Sequence, residues 1–315
     1  MLQLLRAHRY ELIAFLTGGA VMTLEIVGAR LIAPFFGTSI YVWTAMIGVI
    51  LGSLAVGYWA GGLLADRRNP QTTLVYLLIG ASVLVATIGL IQSSVLSAIA
   101  DLQFDLRLST FLAACLLFAP ASLLIGTVSP HLAKIRIESL ETSGRSVGRL
   151  EAAGALGSIA GTFLCGYFLL GFVGSRRLVI GVAVLLLLTS LFAYGRGLRR
   201  ERLGILTALI MIGALATADT NNIRADVDTP YGRYQVIEGQ YQGRAAIFLR
   251  NDNLGLQSGI AINQPREPLF DYIRRFHDAA KLFGPQSATL VIGGGAYTFP
   301  SMLADERLTQ RVEAV

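Results

Sequence analysis

A chain of 315 residues that is 54% hydrophobic and only 15% charged, with a mean hydropathy of +0.60, lies outside the soluble globular range and inside the membrane class. Its net charge of +6 does not indicate a nucleic-acid binder: residues 1–218 hold 16 Lys+Arg against 9 Asp+Glu, while 219–315 hold 10 against 11, so the basicity belongs to the membrane flanks. Cys115 and Cys165 fall in apolar runs, and His8, His131 and His277 have no carboxylate or cysteine at ligand spacing, so neither a disulfide framework nor a metal site can be argued. The histidines read as surface or interface residues.

A bilayer core takes about 20 mainly apolar residues per helix. Seven segments meet or approach that length: 11–34, 40–65, 72–92, 108–128, 150–172, 177–194 and 203–218, the last being the shortest. The first is too long, and too soon followed by another span, to be a cleaved signal. One set of loops collects Arg6, Arg9, Arg67, Arg68, Lys134, Arg136, Arg145, Arg149, Arg196, Arg199, Arg200 and Arg202, and the other set only Arg107, Arg176 and Arg177. That bias places the N-terminus in the cytoplasm. If the seventh segment crosses, the C-terminal part lies outside; if it is an interfacial helix, that part stays in the cytoplasm.

Within the spans, Glu25 and Arg30 are ionisable groups at membrane depth, where charge is costly. Five residues apart on one helix, they point about 140° away from each other, so each needs a partner on a neighbouring helix. Gly48 and Gly52, Gly57 and Gly61, and Gly157 and Gly161 form small-xxx-small faces, which predict close helix packing and offer surfaces for oligomerisation. The stretch 62–68, Gly-Leu-Leu-Ala-Asp-Arg-Arg, resembles the loop between the second and third spans of major facilitator transporters, without that loop's later glycine and basic residues.

Beyond Asp219 the pattern changes to short extended pieces. Segments 231–238 and 244–249 flank a Gly-bounded loop, 239–243, and Asn251, Asp252 and Asn253 make a further turn, which together predict a small antiparallel sheet. A helix follows over 268–283, with Phe270, Ile273, Phe276, Ala280 and Phe283 on one face. Then an apolar strand around Leu290 opens into Gly293, Gly294 and Gly295, followed by Ala296 and Tyr297. In a doubly wound fold such a strand-to-glycine turn brings an adenosine-bearing cofactor against main-chain amides. The expected architecture is therefore an α-helical polytopic membrane domain over 1–218, a small β-hairpin subdomain over 219–265, and the start of a Rossmann-like α/β methyltransferase-type domain over 266–315.

This order of sheet, helix, strand and glycine turn resembles the polyamine aminopropyltransferases, the spermidine synthases. With the spans in front, the whole chain resembles the fused membrane-spanning spermidine synthase-like proteins, whose setting would be a bacterial inner membrane. The resemblance implies that Tyr234, Gln235, Gln257 and Tyr272 position a diamine or polyamine, and that Gly293, Gly294, Gly295, Ala296 and Tyr297 hold decarboxylated S-adenosylmethionine as donor, without a metal. The implied reaction is attack of a neutral amine on the carbon beside the sulfonium, releasing methylthioadenosine, with a carboxylate taking up the amine proton. Where the family places an aspartate for the donor's amine, this chain has Ala296. Segment 311–315 reads as a second parallel strand, and the family's ribose-binding acid and catalytic aspartates are expected beyond Val315. The chain accordingly reads as C-terminally truncated, or its adenosine-binding domain as vestigial, and residues 1–315 alone are not expected to transfer an aminopropyl group. Two other readings stand beside this one. A permease or carrier with a non-catalytic tail predicts a polar cavity around Glu25 and Arg30, and a membrane-bound methyltransferase-like protein predicts the glycine loop without a diamine site.

Overall fold

The computed structural model describes residues 8–137, 139, 141–193, 213, 223–229, 233–251, 255–265, 267–283, 287–295 and 297–315. Six helices among them are long and apolar enough to cross a bilayer: α1 Arg9–Phe36, α2 Ile40–Arg67, α3 Pro70–Asp101, α4 Leu106–Arg136, α5 Ser143–Val173 and α6 Ser175–Ala193. The protein is thus a multi-pass membrane protein. The expected seventh span, 203–218, lies outside the described residues, Gly213 excepted. α3 runs well past the expected end at residue 92, because Gln92, Ser93 and Ser94 interrupt the apolar run without breaking the helix, and Leu96 and Ile99 are again buried. It starts cleanly: Pro70 fills the first helical position, and the Asn69 side chain accepts from the amides of Gln71 at 3.0 Å and Thr72 at 3.2 Å.

α1 packs on α5 and α6, α2 on α4, and α3 on α4 and α6. Glycine sets the closest of these seams. A Cβ added to Gly157 on α5 would sit 1.8 Å from the Phe15 carbonyl oxygen of α1, and one on Gly161 would sit 2.5 Å from that of Gly19. On α2, a Cβ at Gly57 would meet the Leu123 carbonyl oxygen at 2.3 Å, and one at Gly61 the Thr127 Cα at 2.7 Å. Gly48 and Gly52 depart from expectation: both are exposed with nothing near them, because their face of α2, shared with Ile47 and Leu51, turns away from the bundle. His131 is the reverse case. It is fully buried rather than superficial, with Nδ1 2.8 Å from the Thr127 carbonyl oxygen one turn back. Ser82 ties α3 to α6 by donating to the Ala183 carbonyl at 2.7 Å.

Lys134 pairs with Asp66 at 2.7 Å and Arg136 lies 3.7 Å from Glu11, which gathers the start of α1 and the ends of α2 and α4. At the opposite end the Arg107 guanidinium lies over the Tyr41 ring, 5.1 Å from its centroid.

The contact map separates Met1–Ala218, with Asp228–Pro230, from Asp219–Val227 and Tyr231–Val315. The second unit holds two sheets. One is a four-stranded sheet in the order β1 Ile223–Asp228, β2 Arg233–Tyr241, β3 Arg244–Asn251 and β4 Gly255–Ala261, with β2–β3 and β3–β4 antiparallel. The β2–β3 connection is only Gln242 and Gly243, with φ of 49° and 77°, a pair of positive values that suits a tight hairpin and carries the strands through the expected 239–243 loop. Gly239 therefore lies within the ladder, opposite Ala246, where a Cβ would press to 3.2 Å on the Phe248 ring. Phe248 forms a small core with Ala246, Ala261 and Leu269.

Helix α7, Asp271–Phe283, begins later than expected because Pro268 is taken up in a bridge to Ile260. After it come β5 Ala288–Val291, α8 Thr298–Asp305 and β6 Arg311–Ala314. β5 and β6 pair in parallel, Ala288 opposite Arg311 through Val291 opposite Ala314, and the ladder runs on through Gly293 N to Val315 O at 2.8 Å.

Candidate functional site

The Gly293 turn is where β5 leaves the parallel pair. Gly293 and Gly295 have φ of 75° and 57°, which favour glycine, and Tyr297, with φ of 57°, closes the turn through its amide on the Gly294 carbonyl at 2.8 Å. Tyr297 is also the residue before α8; it makes no side-chain cap, and its carbonyl accepts from the Ser301 amide at 3.0 Å. Ala296 lies outside the described residues.

A cavity of about 380 Å³ opens against this turn, within the range usual for small-molecule sites. Gly293, Gly294 and Gly295 form one wall, Gln257 and Ser258 of β4 a second, and Tyr272 and Phe276 of α7 with Phe299 of α8 a third. The third wall belongs to an aromatic series. Phe270 stacks on Tyr272 at 5.9 Å, Tyr272 meets Phe276 edge-on at 6.2 Å, and Phe276 meets Phe299 at 5.6 Å. The Tyr272 hydroxyl donates to the Gln257 carbonyl at 2.9 Å, tying α7 to β4 across the cavity rim. Burial in this wall pushes the Tyr272 phenol above its ordinary value, so it remains a donor at neutral pH. Among the described residues no carboxylate lines the cavity. Backbone amides and flat π faces can hold a planar polar ligand, and these groups offer no general base.

Of the four residues expected to position substrate, Gln257 and Tyr272 are on this cavity, while Tyr234 and Gln235 are outside its lining. The hairpin register explains this. Gln235 lies opposite Arg250, and its side-chain oxygen accepts from Arg250 Nε at 3.0 Å, while Tyr234 lies opposite Asn251 on the same ladder. Sequence reasoning assigned neither Ser258 nor Phe299 to the site and placed Phe276 only on the apolar face of α7; Ile273 alone of that stripe is buried, and Phe276 is 56% exposed on the cavity side. The signal was present in the spacing, since Phe276 and Ile273 share a face one turn apart.

In the membrane unit a second cavity, of about 310 Å³, contains Glu25, and Arg30 is not part of its lining. Comparison of the chain with protein-family models, with characterised proteins and with solved structures finds no match.

Proposed function

We propose that the unit beyond residue 218 holds an adenosine-bearing ligand at the Gly293 turn, as a membrane-anchored protein of spermidine synthase-like kind. The observation that carries this reading is the shared cavity of Gly293, Gly294, Gly295, Gln257 and Tyr272, residues distant in sequence that the resemblance assigns to one site. The aromatic wall suits an adenine face, for which stacking on such rings contributes roughly 1–3 kcal/mol per base. The β5–α8–β6 unit supports a Rossmann-like frame, in which the ligand binds at the carboxyl end of the strand beside a helix N-terminus.

On this reading the described residues bind and orient the donor. Gln257 and Tyr272 stand where an acceptor amine would approach, and deprotonation falls to none of them, since an amide and a raised phenol are poor bases at neutral pH. The proposed setting is the inner membrane with the N-terminus in the cytoplasm, on the distribution of basic residues. Equilibrium dialysis of the detergent-purified chain with methylthioadenosine, the product half that keeps the adenosine and sulfur, tests the reading. Saturable binding at one site per chain is expected. Retention no greater than that of methylthioinosine, or none at all, would refute it.

A further inference from the structure

The cavity of the membrane unit is bounded by α1, α2, α4 and α5. Along α1 its lining runs from Ala14 to Glu25, which at 1.5 Å per residue is roughly 16 Å, about half of a bilayer core of roughly 30 Å. Ala14 lies one turn beyond Glu11, at the end where the Lys134–Asp66 pair and Arg136 also lie, so Glu25 marks the deep end. Nearer the Ala14 end are Tyr58, Ser129 and Glu151, with the Ser129 hydroxyl donating to a Glu151 carboxylate oxygen at 2.7 Å.

Two carboxylates on different helices therefore face one membrane-embedded space. Among the described residues no lysine or arginine lines it, and Glu25 makes no hydrogen bond or ion pair there. A carboxylate at membrane depth without a basic partner is costly, and what relieves that cost is a cation or a proton supplied from outside the protein. The rest of the deep lining is apolar: Val21, Met22, Leu51, Leu54 and Ile125. A hard divalent ion asks for six or more oxygen ligands, which this surface does not provide. An alkyl chain ending in an ammonium matches both parts of it, and Tyr58 adds an aromatic group for a cation nearer the Ala14 end.

We propose that this cavity is a binding site for a small organic cation of the alkylammonium class, its ammonium on Glu25 and its alkyl part against the leucines, with Glu151 drawing it in. The site is independent of the ligand of the Gly293 turn. Titration calorimetry of the full chain in nanodiscs with n-butylammonium chloride tests it, against 1-butanol as the neutral isostere and sodium chloride at equal ionic strength. The expected result is saturable heat for butylammonium alone. Glu25→Gln should weaken binding about tenfold or more, Glu151→Gln about threefold, and Glu25→Asp should retain it, since losing a charge-assisted contact costs at least the 1.4 kcal/mol of one decade. Equal binding of butanol, heat from sodium alone, or undiminished affinity in Glu25→Gln overturns the proposal. If the Glu25→Gln melt shows a misfolded protein, Glu151→Gln decides, and unchanged affinity there overturns it equally.

Discussion

At the helix seams of the membrane unit and at the Gly293 turn of the second unit, glycine serves opposite ends. In the membrane unit Gly157, Gly161, Gly57 and Gly61 sit in ordinary helix and matter for what they lack: a Cβ would strike the backbone of the next helix. In the second unit Gly293 and Gly295 have open space beside them at ordinary contact distance or beyond, and matter for the backbone angles they permit. In lipid, helices gain nothing hydrophobic from one another and associate through close contact, so small residues collect at seams. In the second unit the glycines shape a turn beside a cavity. The same residue type therefore marks packing at the helix seams and a turn beside a cavity at Gly293 and Gly295, and substitutions should separate the two.

The largest effect is expected at the α1–α5 seam. Gly157→Leu forces a side chain into the Phe15 carbonyl, and because backbone faces backbone neither side can yield by changing rotamer. Overpacking typically costs 1–3 kcal/mol and occasionally more; here we expect the upper end or beyond, read as loss of the monodisperse peak and a collapsed melting temperature in detergent. Next comes Gly295→Val, which places a β-branched residue at φ 57°. Such strain costs about 1–3 kcal/mol, and it should appear as a tenfold or greater loss of methylthioadenosine affinity while the membrane unit's melt is unchanged. An equal fall of that melt would erase the distinction between the units.

A smaller effect concerns Tyr272. Its folded pKa is raised by burial above the ordinary value of about 10, so its contribution to stability is in place below that pH and is lost as pH rises through the folded value. The difference in absorbance titration near 295 nm between wild type and Tyr272→Phe should show one phenol ionising later than free tyrosine; a midpoint at or below the free value would contradict the wall described for it. Smallest of all is Gly48→Leu. With nothing near an added Cβ on this exposed face, it should shift stability by no more than about 0.5 kcal/mol. The contrast with Gly157→Leu is the sharpest form of the comparison.

Much of this was legible in the sequence. The six described spans follow from long, mainly apolar runs, and the β2–β3 hairpin, α7 and the β5 turn follow from period and punctuation. What escaped had physical reasons. β4 reads Gly-Leu-Gln-Ser-Gly-Ile-Ala, without clear alternation, and Gly259 makes room rather than pattern, lying against Phe248, where a Cβ would sit 2.7 Å from the ring. Spacing told that Gly48 and Gly52 share a face but not that this face turns outward, since coverage depends on the neighbouring helices. Register, too, is a tertiary fact. Nothing local in Tyr234-Gln235 announces that Gln235 stands opposite Arg250 and gives its oxygen to that guanidinium, which takes this pair away from the cavity that Gln257 and Tyr272 line.

The Gly293 turn is the proposed adenosine site. Photolabelling of the purified chain with 8-azidoadenosine, competed by methylthioadenosine and mapped by peptide sequencing, addresses it directly. Competable label is predicted on peptides containing Tyr272, Phe276 or Phe299, the rings that line the cavity beside the Gly293 turn. Competable label confined to α1–α6, or label that methylthioadenosine does not displace, would contradict it.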